Sequence, residues 1–162
     1  GGSIRVYAEH KKGPHKIQPI VRKMIQAELA MGLDKTDTYK GLQERAQYIK
    51  KELLRILTDL KRQKKKIVGY GAAGKGNTLL NFCGIGPEHL DYIIDKTLFK
   101  HGKFTPGMHI PVFPVEKIQE DGPPDYYFLL VWNYAPAMLR QEKEYFENGG
   151  KFIIPIPAPY IL

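Results

Sequence analysis

The feature that most constrains the fold lies at residues 67–82. A short apolar stretch, Ile67–Gly71, reads as a strand and runs into Gly69-Tyr70-Gly71-Ala72-Ala73-Gly74, after which Gly74–Phe82 reads as a helix. A G-x-G-x-x-G turn between a strand and a helix is the context in which backbone holds a phosphate. The first glycine, Gly69, allows a tight turn. The second, Gly71, lets backbone approach a pyrophosphate, and the third, Gly74, lets helix and strand pack closely. The helix start adds free N–H groups and partial positive charge. Ala72 and Ala73 contribute backbone there, Lys75 a full charge, and Asn77 and Thr78 further donors. Asp95 ends the next strand about 20 residues on, where an acid can bond a ribose hydroxyl. This is the pattern of a Rossmann-like nucleotide-binding domain. By itself it separates neither NAD from a nucleotide-sugar nor either from a turn kept for packing. The lysine spacing is not that of a Walker A loop.

The rest of the chain agrees with an α/β fold. Strands are expected at Leu90–Asp95, Ile110–Phe113, Tyr126–Trp132 and Lys151–Ile156. Helices are expected at Pro114–Gln119 and Ala135–Glu147, and Lys96–Pro106 reads as a loop. Such alternation predicts a parallel sheet with helices on both faces. Before it come an extended segment at Ser3–Tyr7 and two helices. In the first, His15–Met31, apolar residues recur at helical spacing, and Gly32 suits its end. The second takes its N-cap from Asp34–Thr38 and carries a seam from Tyr39 to Leu60, either packed on the domain or forming a coiled-coil arm. We divide the chain at 65/66 into an N-terminal active-site segment with helices (1–65) and a Rossmann-like core (66–162).

Composition narrows the function classes. The 162 residues hold one cysteine, Cys83, which excludes an internal disulfide and any multi-cysteine zinc site. No metal site is expected, and a reducing cytoplasm is the expected compartment. The apolar run at Tyr126–Trp132 is too short to span a bilayer. No signal-peptide pattern opens the chain, and Gly1-Gly2-Ser3 fits either a piece of a longer chain or a cloning scar. The net charge of +8 favours anionic ligands. Much of it sits in Lys61–Lys66, a solvated helix end or an anion patch. Nothing resembles a nucleic-acid-binding signature, so neither nucleic acid nor membrane is an expected partner.

Ionisable groups also cluster at Arg5-Val6-Tyr7-Ala8-Glu9-His10. His10 can move a proton near neutral pH, Tyr7 can donate to an oxyanion, and Glu9 can orient an imidazole. In extended chain Tyr7 and Glu9 share one face and His10 takes the other. A bend before Gly13 would bring the three together. The pattern alone fits surface residues of a terminal strand better than an active-site cluster, and His15 and His101 are weaker candidates.

The run Gly69-Tyr70-Gly71-Ala72-Ala73-Gly74-Lys75-Gly76-Asn77-Thr78-Leu79-Leu80-Asn81-Phe82-Cys83-Gly84-Ile85 resembles the signature of the C-terminal domain of S-adenosylmethionine-dependent sugar C-methyltransferases. Further matches are Gly1–Tyr7, Asp91–Asp95, Pro106-Gly107, Ile110-Pro111, Val131-Trp132-Asn133 and Gly149–Pro157, so the resemblance covers nearly the whole chain and makes Gly1–Ser3 native. One departure is Gly74, where many relatives carry alanine. The resemblance implies a zinc-binding segment and a methyl-donor domain ahead of this one. The 162 residues themselves then bind neither cofactor, and partner that methyl-donor domain. It implies that this domain binds a nucleotide-linked 4-keto-deoxysugar through Gly71–Thr78, Asp95, Trp132 and Asn133. It further implies that Tyr7, Glu9 and His10 are the active-site segment. His10 would be the base at carbon 3, Tyr7 would steady the enolate oxygen or the sugar, and Glu9 would orient His10 or bind the sugar. The alternatives are an NAD-linked oxidoreductase domain and a non-catalytic nucleotide-binding module.

Overall fold

The computed structural model describes residues 4–162. Gly1, Gly2 and Ser3 lie outside the described residues, and with them the start of the expected extended segment. The chain divides into two compact units between Ala46 and Gln47.

In the first unit, residues 4–10 form no strand. The helix expected from His15 begins later, as α1, Pro19–Ala30. Proline at its first position explains the start: the residue before proline is pushed out of the helical region, and Gln18 sits at ψ 145°. Gly32, at φ +68°, ends the helix as its sequence suggests. The expected second helix splits. Thr36–Tyr39 is a single 3-10 turn, and α2 starts only at Leu42 and runs to Arg62.

The second unit is a seven-stranded sheet. Its strands are β1 (Ile67–Tyr70), β2 (Tyr92–Ile94), β3 (Lys103–Phe104), β4 (Pro111–Phe113), β5 (Tyr126–Leu129), β6 (Lys151–Ile154) and β7 (Tyr160–Ile161). Their order is β3-β4-β2-β1-β5-β6-β7. The five inner strands are parallel, and the short β3 and β7 add antiparallel edges. The fold is therefore α/β with a mostly parallel, Rossmann-like core. Neither edge strand was expected. At two residues each they carry no readable alternation, and β3 falls inside the segment read as a loop.

Side chains alternate between the two faces as a strand requires. Ile67, Ile93, Phe128 and Ile153 pack with Leu53, Ile56, Leu57 and Leu60 of α2 and with Leu79, Leu80 and Cys83 of α3 (Gly74–Cys83). Val68, Tyr70, Ile94, Tyr127, Leu129 and Phe152 form the other face. Ile118 of α4 (Lys117–Asp121), Met138 and Leu139 of α5 (Ala135–Gln141) and Tyr145 of α6 (Lys143–Glu147) cover them. The helix expected over Ala135–Glu147 breaks at Glu142. There the Glu142 carboxylate accepts the Tyr70 hydroxyl at 2.7 Å.

The unit boundary precedes residue 65 because the second half of α2 is buried against the sheet. The basic run that follows is engaged within the chain. Lys61 pairs with Asp91 at 2.9 Å and Lys65 with Asp125 at 3.0 Å, while the Lys66 ammonium donates to the carbonyls of Asp121 and Gly122. It clasps the entry to β1. No helix among the described residues is long and apolar enough to cross a membrane.

Candidate functional site

From β1 the chain winds outward in two directions, through β2 and β4 on one side and β5 and β6 on the other. Ligands of such sheets bind where the winding reverses, at the carboxyl ends of the strands. Here that crevice lies between β1 and β5, and the turn 71–74 and the segment 130–134 border it.

The glycines of the turn divide the work differently from the sequence expectation. Gly71 makes the tight turn: its φ is +85°, and a Cβ there would meet Val131 Cγ1 at 2.7 Å. Gly69 lies within β1, where a Cβ would meet Ile93 Cγ1 at 2.6 Å. Gly74 does not mediate helix packing, since a Cβ there meets nothing within 4 Å. Gly76 does that instead: its Cβ would stand 2.8 Å from Leu130 Cβ and 3.1 Å from the Leu130 carbonyl oxygen. Open space at Gly74 leaves the start of α3 approachable. No side chain caps that end, and the first N–H groups of a helix have no partner inside it. Thr78 turns its hydroxyl back to the Gly74 carbonyl at 3.2 Å.

Asp95 is buried, and both its oxygens are engaged. Oδ2 accepts the Ala72 N–H at 2.7 Å and the Lys100 ammonium at 3.0 Å, and Oδ1 accepts the Thr97 N–H at 2.8 Å. Burial alone would raise its pKa. The bonds from Thr97, Lys100 and Ala72 outweigh it and hold the carboxyl below the usual range. Lys100 also donates to the Ala72 carbonyl at 2.9 Å. The sequence reading set Asp95 against a ribose hydroxyl. The structure shows it bracing the turn, and His101 bonds its backbone oxygen at 2.7 Å.

Across the crevice, Trp132 and Asn133 fall in a 3-10 turn, Trp132–Tyr134, beyond the end of β5. The Lys75 ammonium donates to Asn133 Oδ1 and lies 5.3 Å from the Trp132 ring centroid and 5.5 Å from that of Tyr134. Lys75, Trp132 and Asn133 are thus brought together, with Tyr134 as an added member. Among the described residues no carboxylate pairs with Lys75, so a cation is presented at the point where the fold binds ligands.

Next to the turn, on the β2–β4 side, a cleft of about 340 Å³ is lined by Ala72–Gly74, Leu80, Ile93, Val112 and Leu130, with Phe99 and Phe104 at its rim. Asn77 lines it too, and its Oδ1 is buried without a hydrogen-bond partner. Leaving such an acceptor unpaired costs about 1–3 kcal/mol.

In the first unit, Tyr7, Glu9 and His10 are exposed. The chain does bend before Gly13, whose N–H donates to the His10 carbonyl at 2.7 Å. The bend brings His15 to Glu9: His15 Nδ1 lies 2.7 Å from Glu9 Oε2, and the His15 N–H donates to Oε1 at 3.1 Å. Among the described residues no hydrogen bond links the side chains of Tyr7, Glu9 and His10 to one another.

The model of the C-methyltransferase C-terminal domain matches residues 1–157. This chain belongs to that family. It is also similar to C-methyltransferase NovU of Streptomyces niveus, at 38% identity over 162 residues. The match takes in all of this chain and 38% of that protein, so the chain spans about two-fifths of its relative's length.

In this C-methyltransferase C-terminal domain, sequence reasoning missed two residues that shape the site: Lys100 stands outside the G-x-G-x-x-G pattern, and Tyr134 follows the Trp-Asn pair by one position. Gly76 fell within the range Gly71–Thr78, but without its packing role. His15 was only a weaker candidate, and its pairing with Glu9 was not expected. The six-residue spacing from Glu9 has no regular period, so only the Gly13-Pro14 break hinted that the two could meet. Among the described residues no group of three or more His, Cys, Asp or Glu could hold a metal.

Proposed function

We propose that the chain is the substrate-binding and base-supplying part of an S-adenosylmethionine-dependent C-methyltransferase acting on a nucleotide-linked 4-keto-deoxysugar. The observation that carries this reading is the Lys75 ammonium, without a carboxylate partner among the described residues, beside the uncapped start of α3 at the switch point. Family membership supplies the reaction class. The diphosphate is held by the N–H groups of Gly74–Gly76, the Lys75 ammonium and the Asn133 amide. Asp95 serves it indirectly, by fixing the turn.

S-adenosylmethionine supplies an electrophilic methyl group and binds to a part of the polypeptide outside these residues, as does the structural zinc. On this chain, His10 takes the proton from carbon 3, beside the 4-keto group. The C–H electron pair moves into an enolate, whose oxygen Tyr7 steadies by donating a hydrogen bond. The carbon-3 carbanion formed in this way would be the acceptor for the methyl group that S-adenosylmethionine supplies. Glu9 acts through the loop it closes with His15 or by binding the sugar. The compartment is cytoplasmic, in keeping with the lone buried Cys83.

Calorimetry on the 162-residue chain tests the binding half. A nucleoside diphosphate should bind and S-adenosylmethionine should not. Lys75→Met should weaken diphosphate affinity by about tenfold or more, the loss of one charge-assisted bond. Tight binding of the methyl donor by this chain would refute the reading. In the longer polypeptide, His10→Gln should stop solvent exchange of the carbon-3 proton while nucleotide affinity stays within about twofold. Unchanged exchange would remove His10 from the base role.

A further inference from the structure

We propose that His15 is a positioning residue for the base: it holds the Glu9 carboxylate inside the bend 9–15, and the closed bend fixes where His10 stands. The proposal rests on His10 as the base. It commits Glu9 to closing the bend rather than to binding the sugar.

The bend is specified residue by residue. The Gly13 N–H donates to the His10 carbonyl at 2.7 Å. That bond closes a four-residue turn with glycine at its last position, as such turns favour. Pro14 follows, with a fixed φ and no N–H, so the next backbone donor is that of His15. It points at Glu9, 3.1 Å from Oε1 and 3.4 Å from Oε2. The His15 ring joins it, with Nδ1 2.7 Å from Oε2. One residue thus meets the whole carboxylate, through backbone and ring together.

Gly13 gives independent support. Its φ is not in the left-handed region, so the backbone does not call for glycine there. Space does: a Cβ on Gly13 would collide with the Glu9 carboxyl group. The hollow of the bend is therefore the seat of that carboxylate.

An exposed His–Glu pair contributes little by itself, and the His15 side chain is 84% exposed. What matters is the effect on the residue between the two. His10 is held from both sides: its own carbonyl takes the Gly13 N–H, and the residue before it is tied to His15. Among the described residues no hydrogen bond joins Glu9 to the His10 ring, so Glu9 acts on the base by placing its backbone. A catalytic group displaced by about 1 Å can lose about a hundredfold in rate.

The first test uses nitrogen-detected NMR on the 162-residue chain, at a pH where the His15 ring is neutral. The ring should carry its proton on Nδ1, because the bond to Glu9 selects that tautomer. Glu9→Ala should move the proton to Nε2. Gly13→Ala should do the same, since it keeps both partners and only evicts the carboxylate from the hollow. Nε2 protonation in the wild-type chain would overturn the proposal.

The second test follows carbon-3 proton exchange in the longer polypeptide. His15→Ala and Gly13→Ala should each lower kcat by about tenfold or more, with KM within about twofold. His15→Asn puts an amide N–H where the imidazole Nδ1 stood and should restore kcat to within about threefold of wild type. His15→Gln, whose amide nitrogen takes the Nε2 position, should not. Glu9→Ala/His15→Ala should be no slower than the slower single variant, because both changes break one contact. Glu9, His10 and His15 are exposed, so the melting profiles should match. Wild-type kcat in His15→Ala would overturn the proposal and leave His10 as the base. Additive losses in the double variant would overturn it too, by giving Glu9 a contact of its own with the sugar. Exchange that survives His10→Gln would instead overturn the base reading, and the positioning role with it, while the Nδ1 tautomer would still report the bend.

Discussion

The Ala72 N–H donates to Asp95 Oδ2 at 2.7 Å, which ties the turn after β1 to the end of the neighbouring β2. Lys100 closes the circuit by donating both to that carboxylate and to the Ala72 carbonyl. Both backbone polar groups of Ala72 are thereby fixed by one ion pair. A turn held this way presents its remaining N–H groups in a set direction without a ligand, which is preorganisation in the sense that matters for binding.

Asp95→Asn should lower stability at pH 7 by about 1–3 kcal/mol, because the amide cannot satisfy the same donors with a charge. The pH dependence has a definite sign. The folded-state pKa lies below the ordinary value of 3.8, so the charged form stabilises the fold fully above that value. That contribution is lost as pH falls through the lower folded value. Urea unfolding of both proteins at pH 7 and near pH 3 should therefore show the gap narrowing in acid. A gap that stays constant would argue against the ion pair as its source.

Two glycines two residues apart should respond oppositely to alanine. Gly76→Ala drives a methyl group into Leu130, side chain and backbone together, and should cost about 1–3 kcal/mol. Gly74→Ala meets nothing and gains helix propensity, so it should leave the melting temperature unchanged or raise it. Thermal melts of the two variants check this directly, and equal losses would show that the helix start is packed in solution.

Residues 47–162 should fold without the first 46, since their core is complete in itself. Leu53, Ile56, Leu57 and Leu60 complete it from α2. Leu57 is fully buried, and Leu57→Ala in that shorter chain should cost about 2–5 kcal/mol. A single cooperative denaturant transition, shifted by the substitution, is the expected result. A non-cooperative melt of the unsubstituted shorter chain would place the boundary elsewhere.

The core was legible in the sequence because its signals are local and repeated. Apolar runs such as Ile67–Gly71 and Tyr126–Trp132 mark buried strands, and the glycine turn marks the strand-to-helix join. Apolar spacing from His15 onward does not reveal where α1 starts, because Pro19 and its effect on Gln18 decide the matter. The roles of Gly74 and Gly76 could not be told apart, because both sit at the helix start and only the position of Leu130 separates them. Asp95 stood where a ribose ligand is usual. Its actual partners, Thr97, Lys100 and the Ala72 N–H, depend on how the loop after β2 folds back, and no periodicity encodes that. The cleft was invisible for the same reason: Phe99 and Phe104 lie in a segment that reads only as polar loop.

Trp132 is the single tryptophan of the chain, and it stands 5.3 Å from the Lys75 ammonium. A nearby positive charge shifts the emission of an indole ring. An anion that draws Lys75 off the ring would therefore change the colour and brightness of the protein's own fluorescence. The crevice carries a built-in optical gauge, readable without any label.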